Sequence, residues 1–240
     1  MGPGRGSGVI ARTTAVVEAG GVLGELACAP PLTLRQVHGA AGRCELRLVG
    51  TAAGPLPGDD LALSLQLLPG ARAALRAVAA SLAQGGASSL SMRADLAEGA
   101  DLVADPGALI VCAGGQVDVR LSLALAAGAA VDWRELVVLG RTGEPAGQAR
   151  LRWDVTRCGR PVLRQAVDVS LAGHRVLASA LISDPSGSAR TVVWSATAVA
   201  QRVDQHTLLV SVLDDDAARA GRRLDELCSR PRLTLIVSFD

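Results

Sequence analysis

The sequence predicts a mainly β fold in which repeated strand-turn-strand units form stacked sheets. Gly70, Gly99 and Gly128 stand 29 residues apart, and each of them precedes an alanine. Apolar residues occupy every second position on both sides of these glycines, as expected for strands with one buried face. A fixed spacing of this size is typical of stacked supersecondary units, arranged either as a solenoid or as a sandwich of sheets.

Each repeat has the same parts: an alternating apolar strand, a Gly-Ala turn and a second alternating strand. The apolar positions are Leu63, Leu65, Leu67, Ala73 and Leu75 in the first repeat, Met92, Ala94, Leu96, Leu102 and Ala104 in the second, and Leu121, Leu123, Leu125, Val131 and Trp133 in the third. The block covers 61–139. Its weakest part is 105–116, where Pro106, Gly107, Gly114 and Gly115 interrupt the alternation.

Before the repeats, residues 1–30 are interpreted as an N-terminal segment with a frayed, Gly-rich start. Residues 31–240 are interpreted as a single β domain. A strand is predicted over 44–49, and the Gly and Pro residues of 51–60 predict a structured loop.

After the repeats, a loop over 141–148 leads into a predicted hairpin that turns at 157–160. Further strands are predicted at 175–182 and 207–213. The first of them ends in a predicted loop over 183–188. Asp214 or Asp215 is the expected cap of a helix that covers about 215–228, one of one or two α-helices near the C-terminus. A final strand is predicted over 232–239.

Composition excludes several classes of function. The formal net charge of +1 gives no reason to expect nucleic acid or an acidic membrane surface as a partner. No apolar run approaches the ~20 residues of a membrane helix, and a cytoplasmic location is expected. The chain contains no lysine, so it has no Walker A lysine, no kinase lysine and no lysine for a pyridoxal phosphate Schiff base. Nucleotide hydrolysis, if it matters here, belongs to a partner.

Residues that could carry catalysis or bind a stable metal are scattered. His38, His174 and His206 stand alone, and the five cysteines form no Cys-x-x-Cys pair. No Gly-x-Ser-x-Gly motif is present. The sequence therefore predicts neither an enzyme nor a stably bound cofactor.

Glu135 is the acid that stands out. By alternation it shares a face with Trp133 and Val137, and a buried carboxylate is costly unless it has a partner. It could line an internal polar path or hold a cation in passing. Alternatively, it forms a buried ion pair with an arginine, or a β-bulge turns it outward.

Asp59, beside Asp60 in the Gly/Pro loop, raises the same question. A loop carboxylate next to glycines could contact a metal or the backbone of a partner. Carboxylates in such loops are also common caps of turns and strand starts.

Taken in order, several segments resemble the UreD (UreH) family of urease accessory proteins. The resemblance covers about 32–227 and is carried by the order of motifs rather than by any single one. The motifs are Gly54-x-x-x-Gly58-Asp59, Leu67-x-x-Gly70-Ala71-Arg72, Trp133-Arg134-Glu135-Leu136-Val137-Val138-Leu139-Gly140-Arg141, Arg157-Cys158-Gly159-Arg160-Pro161-Val162-Leu163, and Leu208-Leu209-Val210 with the helix after it.

The resemblance implies a largely β, non-catalytic maturation chaperone. It would bind apo-urease together with UreF and the GTPase UreG and assist nickel insertion into the urease active site. The family is also described as a conduit for the ion. Glu135 and Asp59 match acidic positions of the family pattern, so the resemblance places a transient Ni²⁺ path at these two residues.

Two other classes remain open on the residues alone. One is a β-solenoid carbohydrate-active enzyme or transferase, and the other is a structural β-repeat binding protein. The enzyme requires a second carboxylate or a histidine cluster near Glu135, and no second acid lies two residues away on the same face.

Overall fold

The computed structural model describes residues 8–168, 173–187, 193–229 and 236–237. These residues form two β-sheets packed face to face, one of seven strands and one of twelve. The mainly β prediction is therefore confirmed. The strands that precede and contain the repeats are β1 (Ile10–Glu18), β2 (Val22–Ala27), β3 (Leu32–Val37), β4 (Cys44–Gly50), β5 (Asp60–Leu67), β6 (Arg72–Ala77), β7 (Ser81–Ala83), β8 (Gly86–Leu96), β9 (Asp101–Asp105), β10 (Ala108–Val111), β11 (Gly115–Leu125) and β12 (Ala130–Leu139).

The C-terminal half of the fold adds a hairpin, an antiparallel region and a helix. These elements are β13 (Gln148–Arg157), β14 (Arg160–Asp168), β15 (Val176–Ser183), β16 (Val193–Trp194), β17 (Ala198–Arg202), β18 (Thr207–Asp214), α1 (Ala217–Ser229) and β19 (Ile236–Val237). The seven-stranded sheet has the order β14-β13-β11-β8-β5-β1-β2. The main path of the other sheet is β19-β16-β17-β18-β15-β12-β9-β6-β4-β3.

The three sequence repeats are three stacked rungs. In each rung one strand lies in the seven-stranded sheet and the next lies in the twelve-stranded sheet: β5 and β6, β8 and β9, then β11 and β12. Equivalent strands of successive rungs pair in parallel. The alternating apolar residues of both sheets point inward and form one buried cluster that includes Leu65, Ala94, Leu123 and Trp133.

The repeated glycines occupy the turns between the sheets. Gly70, Gly99 and Gly128 have φ angles of 69°, 65° and 67°, which residues with a side chain rarely adopt. In each case the following alanine amide donates to the carbonyl three residues earlier, as in a type II turn. The turns also bind one another, because the Gly70 amide donates to the Glu98 carbonyl and the Gly99 amide to the Ala127 carbonyl.

The weak part of the repeat is a real interruption. Pro106 and Gly107 separate β9 from β10, and a turn that includes Gly114 precedes β11. Trp133 of β12 is opposite Ala104, whereas Leu136 is opposite Ala108. Between these two pairs, the segment that joins β9 and β10 therefore has one residue more than β12, as in a β-bulge.

The N-terminal region differs from the expected separate segment over 1–30. β1 pairs in parallel with β5 from Ile10 to Val17, and β2 pairs antiparallel with β1, so residues 10–27 extend the seven-stranded sheet. The alternation of Ala11, Thr13 and Ala15 as buried residues follows from this position. The expected frayed start falls on residues 1–7, which lie outside the described residues.

The hairpin predicted around 157–160 is confirmed. β13 and β14 pair antiparallel, and Cys158 and Gly159 form the two-residue turn with φ angles of 48° and 74°. Positive φ at both central residues is the property of a type I′ turn, whose twist matches that of the flanking strands.

Helix α1 covers the outer face of β15 and β18. Ala220, Leu224 and Leu227 pack there against Ala180 and Val210 in a second apolar cluster. Within the described residues α1 is the only helix. It lacks the length and apolar composition needed to cross a membrane.

The predicted cap of this helix is wrong by one or two residues. The Asp216 carboxylate accepts the Arg219 amide at 2.7 Å, so Asp216 is the N-cap. Asp214 still belongs to β18, and its carboxylate accepts the amides of Asp215 and Asp216 and pairs with Arg219. Of the predicted strand over 232–239, only Ile236–Val237 lies within the described residues.

The turn geometry predicts opposite effects for two glycine substitutions. A Cβ at Gly99 would meet no atom within 4 Å, so Gly99→Ala tests the positive φ alone. We expect it to reduce the free energy of unfolding by about 1–2 kcal/mol. Gly221 lies inside α1 with equally open space, and Gly221→Ala should increase stability by about 1 kcal/mol. Urea unfolding of both variants measures these changes in the free energy of unfolding. A change of the same sign in both variants would contradict the prediction.

Candidate functional site

Glu135 lies in the middle of β12, where the parallel rungs meet the antiparallel region. Its neighbours on the same face, Trp133 and Val137, are 1% and 0% exposed. On the adjacent strand Ser179 is directly opposite, within an uninterrupted register from Val131 to Val138. The side chain of Glu135 therefore points into the space between the sheets, as its alternation predicts.

A β-bulge at Glu135 was one alternative for this residue. The structure instead has the extra residue between β9 and β10, the strands that pair with β12. Glu135 lies across from the break between β9 and β10, while β12 itself keeps its register with β15. The extra residue at Pro106–Gly107 thus leaves the inward direction of Glu135 unchanged.

The partner of Glu135 is a tryptophan. The indole Nε1–H of Trp153, on β13 of the opposite sheet, donates to Glu135 Oε2 at 2.8 Å. Among the residues that the structure describes, no ion pair involves Glu135, so the expected pairing with an arginine is not found. A single hydrogen bond between the two sheets takes its place.

Glu135 forms part of the wall of a cavity of about 420 Å³ between the sheets. The inner end is lined by buried side chains such as Leu151 and Trp153, and the outer end by partly exposed residues of β14 and the segment 195–197. The described lining residues are Glu135, Leu151, Trp153, Gln165, Val167, Leu177, Ser179, Ser195, Ala196, Thr197, Ala198, Val199, Ser211 and Leu213.

A short polar row crosses this mostly apolar wall. Glu135 is opposite Ser179, and Ser179 is opposite Ser211 on β18. The two hydroxyl oxygens are 3.3 Å apart. One carboxylate and two hydroxyls therefore lie on three adjacent strands and face the cavity.

The surroundings of Glu135 raise the pKa of its carboxyl group into the neutral pH range. Burial disfavours the carboxylate and raises the pKa of Glu135 to about 7, and the Trp153 hydrogen bond offsets part of that rise. The half-buried carboxyl group can thus exchange a proton near neutral pH.

Asp59 has a different environment. It is 5% exposed, and each of its oxygens accepts a backbone amide: Oδ1 from Val9 and Oδ2 from Leu56, both at 2.8 Å. These bonds cap the Gly/Pro loop and attach the start of the chain to it, in agreement with the structural alternative. A nickel contact at Asp59 stays a prediction.

The structure does not bring Asp59 and Glu135 together. Asp59 precedes β5, and the partner of Glu135 is on β13, three strands further along the same sheet. Trp153 is in register with Leu63, four residues beyond Asp59. Three strand spacings of about 4.8 Å and four residues of about 3.4 Å place the two positions roughly 20 Å apart. Within the described residues no three His, Cys, Asp or Glu side chains form a cluster that could hold a metal.

The histidines are placed away from the cavity lining. His174 Nδ1 is 3.5 Å from an Asp215 oxygen, and His206 Nδ1 is 3.3 Å from the Gly187 carbonyl oxygen. These contacts are local to loops in the second half of the chain.

Sequence reasoning identified Glu135 but missed Trp153, Ser179 and Ser211 as its surroundings. The alternation of Leu151, Trp153 and Val155 is the sequence signal from which an inward Trp153 could have been predicted. The pairing of β12 with β15 and of β15 with β18 is non-local, and no turn signal in the sequence specifies it.

The raised pKa predicts a pH-dependent effect of Glu135→Gln. The folded protein binds a proton at Glu135 up to about pH 7, whereas an unfolded chain does so only below the ordinary value of 4.5. The free energy of unfolding of the native protein therefore falls as the pH rises from 4.5 to 7. Glutamine cannot ionise and still offers an oxygen to Trp153. We expect the variant to be more stable than the native chain by about 2–3 kcal/mol at pH 8 and by much less at pH 5.

Urea unfolding at both pH values measures this difference. Glu98→Gln is the matched control, because it makes the same substitution at an exposed turn position outside the cavity. An equal effect of Glu135→Gln at pH 5 and pH 8 would contradict the assignment.

Comparison with known proteins gives a consistent family. The family model described as "UreD urease accessory protein" matches residues 8–236. The chain is 33% identical to the urease accessory protein UreD of Parafrankia sp. (strain EAN1pec), over 85% of this chain and 81% of that protein. It is 36% identical to UreD 1 of Streptomyces griseus, over 71% and 66% of the two chains. It is 31% identical to UreD of Streptomyces coelicolor, over 81% and 84%. The chain therefore belongs to the UreD family of urease accessory proteins.

Proposed function

We propose that this protein is a non-catalytic maturation chaperone that assists nickel insertion into urease. The observation that carries the proposal is family membership over 8–236, because the matched relatives are named as urease accessory proteins. In this proposal the chain works in the cytoplasm and binds apo-urease together with UreF and the GTPase UreG. The lack of lysine supports a division in which UreG hydrolyses the nucleotide.

Glu135 is the proposed contact for passing Ni²⁺. Carboxylate oxygen is a ligand for divalent metals, and the hydroxyls of Ser179 and Ser211 are the polar groups nearest to it in register. One carboxylate with two weak ligands would hold the ion loosely, which suits a cargo that must leave again. A proton must leave Glu135 before a metal binds, so uptake would become weaker below about pH 7.

The carbohydrate-active enzyme is the less supported alternative. Hydrolysis by paired carboxylates requires two acids on either side of a substrate. Among the described residues that line the cavity, Glu135 is the only acid. The names of the matched relatives also give no enzyme activity.

Deleting the gene in the native host tests the proposed function. We expect loss of urease activity with the urease subunits still present, and partial recovery when nickel is supplied in excess. Urease assays on nickel-limited cultures and immunoblots of the subunits provide the readout. Co-purification with UreF, UreG and apo-urease tests the proposed partners. Unchanged activity in nickel-limited medium would reject the proposal.

A second experiment isolates Glu135 within the complex. We expect Glu135→Gln to reduce the nickel content of activated urease severalfold while the variant still co-purifies with the partners. Nickel per urease, measured by plasma mass spectrometry, is the readout, and Glu98→Gln is the control. Normal nickel content in the Glu135 variant would leave that residue a purely structural role.

A further inference from the structure

The cavity beside Glu135 has a composition that a hydrated metal ion alone does not explain. Its walls are largely aliphatic and include Leu151, Val167, Leu177 and Leu213. Divalent ions prefer several polar ligands and retain water where the protein does not supply them. The apolar walls instead fit a ligand with an aliphatic body.

One carboxylate oxygen of Glu135 accepts no hydrogen bond from the described residues. Trp153 donates to Oε2 of Glu135, and no described residue donates a hydrogen bond to Oε1. No described arginine or histidine lines the cavity either. No described lining residue therefore offers a counter-charge to the Glu135 carboxylate, and a cationic ligand would supply one.

The arrangement favours an ammonium over a guanidinium. An ammonium is a compact charge with three donors, and Glu135 Oε1, Ser179 and Ser211 offer three oxygens in one row. A guanidinium binds a carboxylate best through both oxygens, and here the indole already occupies one of them.

We propose that the cavity binds a lysine side chain of a partner protein, with the aliphatic stem along the apolar walls and the ammonium at Glu135. Long basic side chains commonly bury the stem in this way. Because this chain contains no lysine, the side chain must come from another molecule. The cavity volume of about 420 Å³ is sufficient for one such side chain. This proposal does not require nickel, and it assigns a second ligand to the same Glu135 carboxylate that the proposed function assigns to Ni²⁺.

Two capped amino acids test the proposal on the full chain without metal. Nα-acetyl-lysine N-methylamide carries the ammonium, and Nα-acetyl-norleucine N-methylamide has an aliphatic body of similar length without it. Titration is followed by the indole N–H signal of Trp153 in ¹⁵N NMR spectra, assigned with Trp153→Phe. We expect the lysine probe to shift this signal and to bind at least about tenfold more tightly than the norleucine probe.

Variants identify the group responsible. Glu135→Gln should weaken the lysine probe about tenfold or more, and Glu98→Gln should leave it unchanged. Glu135 is the one ionisable side chain among the described lining residues. Dispersed NMR spectra of each variant verify that it is folded.

Several results would overturn the proposal. Equal binding of both probes would mean that the cavity accepts only an apolar group. Unchanged binding in Glu135→Gln, or no binding of either probe, would reject it. Tight binding of pentylammonium with no binding of the capped lysine would assign the cavity to a free alkylamine. None of these outcomes depends on urease activation, so they are distinguishable from failure of the chaperone role.

Discussion

The parallel stacking of three rungs is the constraint on which the rest of this structure depends. A single strand-turn-strand unit cannot bury its apolar face, and burial requires the neighbouring rung in the correct register. The bonds between successive turns, from Gly70 to Glu98 and from Gly99 to Ala127, help to fix that register. A slip by one residue would turn every side chain of a strand to the other face. The inward direction of Glu135 is thus set by turns at the end of its own rung.

The acid is tolerated because it lies where the regular stack ends. On one side of β12 the parallel partner is interrupted at Pro106–Gly107, and on the other side β15 is antiparallel. Beyond that strand the two sheets no longer match in extent, and a cavity remains. The Trp153 indole reduces the cost of burying the carboxylate, but the raised pKa of Glu135 shows that burial still dominates. Glu135 is therefore charged or neutral according to small changes in its surroundings.

Local pattern was enough for the repeats, for the hairpin at 157–160 and for the helix α1. Each depends on residues close in sequence: alternation beside Gly99, positive φ at Cys158–Gly159, and helical spacing of Leu224. The pairing of strands that are distant in sequence could not be predicted from local pattern. Residues 10–18 form a strand because β5 lies beside them, residues 22–27 pair with that strand, and the pattern of both segments is weak. The helix cap moved to Asp216 because β18 extends through Asp214, and Trp153 meets Glu135 only through the packing of two sheets.

The attachment of Val9 to Asp59 has a consequence for the order in which the chain can assemble. β1 is synthesised before β5 and can form its hairpin with β2 at once, but its parallel partner β5 begins only at Asp60. Loop closure over a separation of 50 residues must precede this pairing. Until then β1 has one open edge with apolar side chains on one face, the kind of edge that joins other chains. β1 is thus synthesised well before the native sheet can protect its second edge.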